Sequence, residues 1–455
     1  MASTIAACSS GSMPCAIAIV RLSGPEAFSV LDGIFKPKSG LPVSQRKARA
    51  MHYGRLLAKD GATVDLCLAA CFPAPNSYTG EDLAEVYCHG SQAVVAAMLD
   101  HCFALGAVPA PPGEFTKRAF LSGRLDLTEA EAVADLIHSQ SELGAKAAVA
   151  QLEGSVGSRV KAVREKVLAL LAHFYAVCDY TDEEIDPFEY ENAVSVLEEA
   201  RNTLDTLHEG FQRGRLVRDG VPVAIIGKPN AGKSSLFNAL AGSQRAIVTD
   251  EAGTTRDVLE QVISVNGAPI RMLDTAGLRE SDSKAERMGV ERARMAAMTA
   301  HAVICVLDLS GPLTQEDREA LELIPLCEQP VLVLNKNDLC ARLPDWAAEV
   351  TAMHPWKQVF HLSAQSGQVE PLAQWLSTLA PKPQEVLITS ARQARLLQSA
   401  SDAMSSAVDS ARDGMTADAF LLDAERAVNL LGEITGETAS ADLAHEIFGR
   451  FCVGK

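Results

Sequence analysis

The chain has 455 residues, of which 47% are hydrophobic and 22% charged, enough for about three domains of ~150 residues each. Its 41 Lys and Arg residues against 58 Asp and Glu give a formal charge of −17, which excludes a generally basic nucleic-acid-binding surface. Any RNA contact must therefore use a local basic surface or be made by a partner. The eleven cysteines include no Cys-x-x-Cys pair, so we expect reduced thiols and no disulfide scaffold.

The first residues and the apolar runs argue against export and membrane insertion. Residues 1–8 lack the basic segment of a signal peptide, and polar residues interrupt the apolar run from Ser9 to Pro14. No uncharged apolar run reaches the ~20 residues that a membrane span needs. We therefore expect a cytoplasmic protein.

Residues 1–118 alternate short apolar runs with turns, which predicts a mixed α+β domain. The runs Ala16–Leu22, Thr63–Phe72 and Glu85–Cys88 predict strands, and the Ala- and Val-rich run Ser91–Phe103 predicts a helix. Turn-forming residues such as Ser23-Gly24-Pro25 end these runs.

Residues 119–215 lack strand-like runs and predict a helical domain. Long amphipathic helices are expected over 128–144, 145–177 and 192–212, and Thr128 with Glu131 is a candidate capping box. Residues 382–455 are helical again. The simplest assembly inserts the α/β segment 216–381 into one helical domain, and two independent helical domains are the alternative.

The segment 216–381 carries a phosphate-binding loop. The apolar run Val223–Ile226 is followed by Gly227-Lys228-Pro229-Asn230-Ala231-Gly232-Lys233-Ser234 and then by a helix-forming run. The glycines let backbone N–H groups converge on phosphate oxygens at the positive end of the next helix. Lys233 would reach the β- and γ-phosphates, and Ser234 would hold Mg²⁺.

Further motifs follow in the order typical of GTPases. Asn335-Lys336-Asn337-Asp338 ends an apolar run, and the Asp338 carboxylate can accept two hydrogens from guanine but not from adenine. A backbone N–H of Ser363-Ala364 would support the base. Asp274-Thr275-Ala276-Gly277 would reach Mg²⁺ through water and the γ-phosphate through the Gly277 N–H, and a threonine of Gly253-Thr254-Thr255 would complete the Mg²⁺ shell.

These motifs resemble the TRAFAC-class (translation-factor-related) GTPases. Leu278 stands where Ras-like members carry the Gln that orients the attacking water. Another group must therefore orient the water, and another charge must stabilise the transition state.

The whole chain resembles the MnmE (TrmE) family of tRNA-modification GTPases. The segments that match its N-terminal domain are Arg21–Gly24, Ser77–Asp82, His89-Gly90 and Pro112–Leu121. Leu431–Glu437 matches its late helical region, and Cys452-Val453-Gly454-Lys455 matches its terminal Cys-x-Gly-Lys. The resemblance implies an N-terminal α+β folate-binding-like domain, a helical bundle domain and an inserted Ras-like P-loop G domain.

For the G domain, the resemblance implies a potassium-dependent GTPase that is activated when two G domains dimerise. K⁺ would replace an arginine finger, with the Asn230 side chain, the carbonyls of Thr249 and Glu251, and Thr254 as ligands. Ser234 and Thr255 would bind Mg²⁺, and Glu286 would orient the attacking water and act with Lys233 in catalysis. The motifs and the resemblance together predict these nucleotide-binding residues: Asn230, Ala231, Gly232, Lys233, Ser234, Ser235, Thr249, Asp250, Glu251, Ala252, Gly253, Thr254, Thr255, Asp274, Thr275, Ala276, Gly277, Asn335, Lys336, Asp338, Ser363 and Ala364.

For the N-terminal domain, the resemblance implies a site for 5-formyl- or 5,10-methylene-tetrahydrofolate at a dimer interface. The matching residues are Arg21, Glu85, Arg124 and Lys455. An arginine can pair with the folate glutamate carboxylate, and Glu85 can accept hydrogens from the pterin. Cys452 would lie near this site, where a nucleophilic and a structural role both remain open.

The family resemblance further implies a homodimer that works with MnmG (GidA), an FAD-dependent partner, on tRNA. Together they would modify C5 of the wobble uridine (U34) to aminomethyl or carboxymethylaminomethyl uridine. The sequence departs from the family at Cys8-Ser9-Ser10-Gly11, where Thr-Pro-Pro-Gly is usual, at Ser91 for a glycine, and at Arg124 where Lys is common. Two other functions stay open: a ribosome-assembly GTPase switch, and a scaffold with a vestigial nucleotide site.

Overall fold

The computed structural model describes residues 3–11, 13–179, 186–242, 261–273, 294–382, 388–413, 415–439, 441–449 and 451–454. The chain forms two compact units. One comprises Met1–Ala134, Gly157–Glu189 and Met415–Lys455, and the other comprises Asp135–Val156 and Tyr190–Gly414. No helix in the described ranges combines the length and the apolar character that crossing a bilayer requires.

A seven-stranded sheet forms the centre of the first unit. Its strands are β1 Ile5–Cys8, β2 Cys15–Ser23, β3 Phe35–Pro37, β4 His52–Leu57, β5 Thr63–Phe72, β6 Leu83–Gly90 and β7 Val108–Pro109. Their order is β3-β4-β5-β6-β2-β1-β7, and every neighbouring pair is antiparallel except β1 and β7. The strands predicted at Ala16–Leu22, Thr63–Phe72 and Glu85–Cys88 are therefore confirmed.

The two faces of this sheet differ because successive side chains of a strand point to opposite sides. On β2, Ala18, Val20 and Leu22 are fully buried, whereas Ile17, which points to the other side, is 63% exposed. The buried face packs with the helices α1 Ala27–Ile34 and α2 Gln92–Ala104. The helix predicted over Ser91–Phe103 is confirmed, and the opposite face of the sheet keeps exposed apolar side chains.

Two short helices follow, α3 Glu114–Leu121 and α4 Leu127–His138. The capping box predicted for Thr128 and Glu131 is wrong. The Asp126 carboxylate accepts from the Glu129 N–H at 3.0 Å, and Glu129 Oε2 accepts from the Asp126 N–H at 2.8 Å. Thr128 is buried in the first turn and donates to Asp126 Oδ1 at 2.6 Å. The box thus begins two residues earlier, because Asp126 is the residue that stands outside the helix.

The helices expected over 128–144 and 145–177 are divided differently in the structure. The next helices are α5 Glu142–Leu152 and α6 Gly157–Asp179. Ser141 starts α5 by accepting from the Gly144 N–H, and Gly154, at φ +82°, lies in the turn before α6. The expected boundary between residues 144 and 145 is therefore wrong.

The first unit is completed by α6 and by two helices from the end of the chain. Buried Val160, Val163 and Val167 line α6, and Arg164 Nε donates to the Val428 carbonyl at 3.3 Å. Val428 belongs to the helix Ala417–Thr435, which packs along α6. The last helix, Ala441–Phe448, packs on α3, where the Phe120 and Phe448 rings lie 6.0 Å apart.

In the second unit, two long helices pack along each other. They are α7 Tyr190–Asp219, which contains the helix predicted over 192–212, and the helix Ala391–Arg412. Ser401 Oγ donates to the Asp205 carboxylate at 2.5 Å between them. In both units, a helix from before the phosphate loop thus pairs with one from after it.

A six-stranded sheet forms the centre of the second unit. Its strands are β8 Val221–Ile226, β9 Gln261–Val265, β10 Ala268–Leu273, β11 Ala302–Asp308, β12 Pro330–Asn335 and β13 Gln358–His361. Their order is β13-β12-β11-β8-β10-β9, and only β9 runs antiparallel to its neighbour. The surrounding helices are α8 Lys233–Gly242, α9 Gln315–Leu321, α10 Asp345–Met353 and α11 Glu370–Ser377, with a helical stretch over 294–299.

Candidate functional site

One edge of the six-stranded sheet gathers the predicted phosphate and guanine motifs. The parallel strands β8, β11, β12 and β13 end at this edge with Ile226, Asp308, Asn335 and His361. The phosphate loop follows β8, the segment Asn335–Asp338 begins at the last residue of β12, and Ser363-Ala364 follows β13. Ligands of open α/β sheets bind at such carboxyl ends of parallel strands.

The phosphate loop needs residues that tolerate left-handed or close-packed backbone. Gly227 has φ +145°, and a Cβ there would lie 2.4 Å from the Val306 carbonyl oxygen. Gly232 has φ +98°, and a Cβ there would lie 2.1 Å from Asn335 Nδ2. Asn230 has φ +60° and an exposed side chain. The two glycines are therefore required by the loop's shape, and Asn230 stands free to reach a ligand.

Lys233 begins α8 with its side chain folded back over the loop. Its Nζ donates to the carbonyl oxygens of Gly227 and Lys228, each at 2.8 Å. Burial lowers the pKa of this ammonium, because water no longer solvates the charge fully. An anion placed beside it would offset that cost. Ser234 and Ser235 follow in the first turn of α8 and are exposed.

Asn335 is a buried structural link at the end of β12. Its Nδ2 donates to the Ala231 carbonyl at 2.8 Å, and its Oδ1 accepts from the Ala364 N–H at 3.0 Å. One side chain thus joins the phosphate loop to the Ser363-Ala364 segment. Both segments were predicted to bind the nucleotide, and this amide holds them at a fixed spacing.

Lys336 and Asp338 complete the guanine motif in different ways. Lys336, at φ +61°, donates from Nζ to Asp308 Oδ2 at 2.6 Å. Burial alone would raise the pKa of Asp308, but hydrogen bonds from Lys336 and Ser310 outweigh it and lower that pKa. The Asp338 side chain is exposed two residues later. Lys336 is thus tied to the protein, and Asp338 is accessible to a base.

A buried ion pair behind the phosphate loop was not predicted from the sequence. Lys228 Nζ donates to Asp317 Oδ2 at 2.7 Å, and Asp317 is only 2% exposed. Asp317 also caps α9, since its carboxylate accepts from the Thr314 N–H at 2.9 Å. The Thr314-x-x-Asp317 capping pattern was visible in the sequence, but its link to Lys228 was not.

The other predicted nucleotide and metal residues lie outside the described residues. They are Thr249, Asp250, Glu251, Ala252, Gly253, Thr254, Thr255, Asp274, Thr275, Ala276, Gly277 and Glu286. Within the described ranges, no group of three His, Cys, Asp or Glu side chains could hold a metal ion. Of the residues predicted to bind Mg²⁺ or K⁺, the structure describes Ser234 and Asn230.

In the first unit, two predicted folate residues contact each other. Arg21 on β2 lies opposite Glu85 on β6, and Arg21 Nη2 is 2.8 Å from Glu85 Oε1. Tyr87 donates to the other carboxylate oxygen at 2.5 Å. Burial, with a contribution from Glu85, raises the pKa of Tyr87 to about 12. The Arg21 guanidinium also lies over the Tyr78 ring, 5.3 Å from its centroid.

A second polar group supports the loop beside this pair. Arg118, which is 9% exposed, donates from Nη1 to Glu81 Oε2 at 2.8 Å and from Nη2 to the Ser3 carbonyl at 2.9 Å. Arg118 thus fixes the Ser77–Asp82 segment. Arg124 is exposed. It lies next to this segment, because a Cβ on Gly80 would be 3.3 Å from Arg124 Cγ.

The C-terminal residues contact the N-terminal loop at residues 8–11, where the sequence differs from the pattern of the family that it resembles. Ser9 Oγ donates to the Gly454 carbonyl at 2.8 Å, and the Gly113 N–H donates to the Cys452 carbonyl at 3.4 Å. The Cys452 residue is exposed, and Lys455 lies outside the described residues. Ser9 of Cys8-Ser9-Ser10-Gly11 therefore holds the C-terminal tail through a direct hydrogen bond.

Comparison with known proteins finds relatives along the whole chain. Residues 4–124 match the model of the GTP-binding protein TrmE N-terminus, and residues 127–452 match that of the MnmE helical domain. The chain is 38% identical over 460 residues to the tRNA modification GTPase MnmE of Thermoanaerobacter sp. (strain X514), with 99% of each chain covered. It is 36% identical over 459 residues to the same-named protein of Acetivibrio thermocellus, again with 99% of each covered. Among solved structures, Era of Aquifex aeolicus bound to GDP and AlF4⁻ aligns with 40% of this chain and 66% of its own, at 27% identity and a TM-score of 0.28.

Proposed function

Because the chain belongs to the MnmE (TrmE) family, we propose that it is a GTP-hydrolysing enzyme of tRNA modification. One observation carries the GTPase part. Asn335 joins the phosphate loop at Ala231 to the base-side segment at Ala364, with hydrogen bonds of 2.8 and 3.0 Å. The segments predicted to bind phosphate and guanine are thereby held at the carboxyl ends of neighbouring strands, with Asp338 exposed beside them, and this supports the proposal.

In this proposal, Lys233 binds the β- and γ-phosphates and exchanges its two carbonyl contacts for phosphate oxygens. Ser234 and Thr255 bind Mg²⁺, which would neutralise phosphate charge. Asn230, with Thr249, Glu251 and Thr254, binds K⁺, which would offset the charge that develops during hydrolysis. The exposed, left-handed Asn230 supports its assignment. Glu286 orients the attacking water, since Leu278 has no group that can do so.

GTP turnover in KCl against NaCl tests this part of the proposal. We expect turnover to be at least tenfold faster in KCl, and we expect Glu286→Ala to lower kcat at least tenfold in KCl while GTP binding is kept. Exposed Glu319→Ala on α9 is the matched control and should behave as the wild type. Equal turnover in both salts would contradict the K⁺ assignment.

For the tRNA part, we propose that the chain works with the FAD-dependent partner MnmG on C5 of U34. The product would be aminomethyl or carboxymethylaminomethyl uridine, and GTP hydrolysis would drive a conformational change. Mass spectrometry of wobble uridines from a deletion strain tests this. Unchanged modification would overturn it, whatever the GTPase assay gives.

We propose that the N-terminal domain, residues 1–118, binds a 5-formyl- or 5,10-methylene-tetrahydrofolate. The contact between Arg21 and Glu85 constrains how it does so. Paired side chains can recognise a single polar end of the folate, so we assign Arg21 and Glu85 to the pterin end. Exposed Arg124, or Lys455 of the tail, is left for the glutamate carboxylate.

We propose that the chain is a homodimer through the part of the outer face of the N-terminal sheet that β2 and β6 form. Ile17 is 63% exposed on β2, and the predicted folate residues Arg21 and Glu85 lie on the same two strands. An exposed apolar side chain next to these residues suits a subunit interface at which the folate binds. We also propose the remaining domain boundaries as 119–215 and 382–455 for the helical domain and 216–381 for the G domain.

A further inference from the structure

A stretch of the N-terminal unit has the opposite charge from the rest of the chain. Residues 36–59 contain seven Lys and Arg and no Asp or Glu, although acidic residues outnumber basic ones by 58 to 41 in the whole chain. This basic stretch forms β3, β4 and the segment between them. Neither the nucleotide site nor the folate site uses it.

Within this stretch, Lys36, Lys38 and Arg55 share one surface, which we call the basic patch. Lys36 on β3 is directly opposite Arg55 on β4, and the Lys38 N–H donates to the Tyr53 carbonyl at 3.0 Å. The three cationic side chains border a depression of about 410 Å³ that Tyr53 and Leu66 also line. All five residues are exposed.

Among the described residues, no acidic side chain pairs with the charges of the basic patch. Lys36 Nζ donates to a backbone carbonyl, that of Asp32, at 2.7 Å. In the described part of the chain, no carboxylate lies within ion-pair distance of Lys36, Lys38 or Arg55. Like charges placed directly opposite on neighbouring strands are destabilising, so the Lys36–Arg55 pairing costs stability. An anionic ligand would remove that cost.

A simpler explanation is that lysines on an edge strand prevent sheets from joining edge to edge. β3 is an edge strand, and that role would suffice for Lys36 and Lys38. It does not explain Arg55, which lies on the inner strand β4, or the lack of acidic residues over 36–59. Tyr53, which is 49% exposed, adds an aromatic surface beside the cations.

We propose that the basic patch binds the phosphate backbone of RNA, with Tyr53 positioned to stack on a base. This rests on the proposed function insofar as the RNA is tRNA. It assigns an RNA contact to this acidic chain itself, in addition to any contact that a partner makes.

The test is binding of fluorescently labelled tRNA to the full-length protein, followed by anisotropy between 50 and 200 mM KCl. The triple variant Lys36→Ala/Lys38→Ala/Arg55→Ala should bind about tenfold more weakly at low salt. Its plot of log affinity against log salt should be shallower by about one for each phosphate that the variant no longer neutralises. The charge-keeping variant Lys36→Arg/Lys38→Arg/Arg55→Lys should bind as the wild type does.

A matched control removes three exposed basic residues from the second unit, as Arg342→Ala/Lys357→Ala/Lys382→Ala. It makes the same change in net charge and should leave both affinity and salt dependence unchanged. Thermal melting of each variant checks the fold, and the patch variant should melt no lower than the wild type.

Three results would overturn the inference: equal tRNA binding by wild type and patch variant, an equal drop in affinity in the control variant, or no tRNA binding by the wild type. Unchanged tRNA binding together with abolished binding of the flavoprotein partner would instead assign the patch to an acidic protein surface. Wobble-uridine modification in the wild-type and deletion strains is measured separately. It shows whether the patch inference has failed alone or the proposed function has failed with it.

Discussion

The side-chain amide of Asn335 donates a 2.8 Å hydrogen bond to the carbonyl oxygen of Ala231, which fastens the phosphate loop to the end of β12. The same side chain accepts from the Ala364 N–H, so both ends of the amide are used. Asn335 is 2% exposed, and water cannot replace either bond. Asn335, the first residue of the guanine motif, therefore has a structural role, because it fixes the spacing of two loops.

We expect Asn335→Ala to weaken GTP binding at least tenfold and to destabilise the second unit by about 1–3 kcal/mol, because two buried groups lose their partners. Isothermal titration calorimetry and urea denaturation measure the two effects. Asn337→Ala, at an exposed position in the same motif, is the control and should change neither. Unaltered GTP affinity in Asn335→Ala would contradict the linking role.

The exposed Asp338 carboxylate predicts how base specificity can be changed. Asp338→Asn replaces an acceptor by a donor, which suits xanthine, since xanthine carries a carbonyl where guanine carries its amine. We expect GTP affinity to fall at least 100-fold and XTP to become the preferred nucleotide. Competition binding with both nucleotides measures this, and retained GTP preference would remove Asp338 from base recognition.

The ion pair between Lys336 and Asp308 predicts a pH-dependent contribution to stability. The folded-state pKa of Asp308 is lowered, so its contribution is present above the unfolded pKa of about 3.9 and is lost as pH falls through the folded value. Lys336→Met should therefore cost about 1 kcal/mol near pH 7 and progressively less as the solution becomes more acidic. Denaturation with and without the substitution across this range is the measurement. If the loss in unfolding free energy caused by Lys336→Met did not change with pH, it would come from poorer packing of the substituted side chain and not from the ion pair.

The exposed face of the N-terminal sheet predicts the effect of a charge on assembly. Ile17→Glu should raise the dimer dissociation constant roughly 100-fold, because an interface would bury an unpaired carboxylate. Analytical ultracentrifugation of the full chain measures this. Leu422→Glu, at a position that is 67% exposed on another surface of the same unit, should leave the dimer intact. Dissociation by both variants, or by neither, would argue against the β2 and β6 part of this face as the interface.

Local patterns predicted the parts of the fold that depend on a few neighbouring residues. The apolar runs located β2, β5, β6 and β8, and the glycines of the phosphate loop stand where the backbone requires them. The first cap of the helical region was misplaced because both Asp126 and Thr128 are capable caps, and only the chain's path selects Asp126. Contacts between distant residues were not predictable in the same way. Lys228 and Asp317 are 89 positions apart, and the Arg21–Glu85 contact depends on the register of β2 with β6.

The last prediction concerns Gly454, which holds the C-terminal tail against the N-terminal loop. Its φ of +93° and the position of a would-be Cβ, 2.2 Å from the Cys8 carbonyl oxygen, leave no room for a side chain. Gly454→Ala should therefore detach the tail from the N-terminal loop. Ser9→Ala should loosen it by about 1 kcal/mol, because the hydrogen bond to the Gly454 carbonyl can no longer form.

Release of the last residues by carboxypeptidase measures that detachment, and we expect about fivefold faster release in Ser9→Ala and a larger increase in Gly454→Ala. Val453→Ala is the control, because Val453 is 56% exposed and its side chain is not needed for docking. Calorimetric titration with 5-formyl-tetrahydrofolate then separates two roles of the tail. Weaker binding in Gly454→Ala would support a ligand contact by Lys455. Unchanged binding despite faster release would restrict the tail to a structural role and leave Arg124 as the partner of the folate carboxylate.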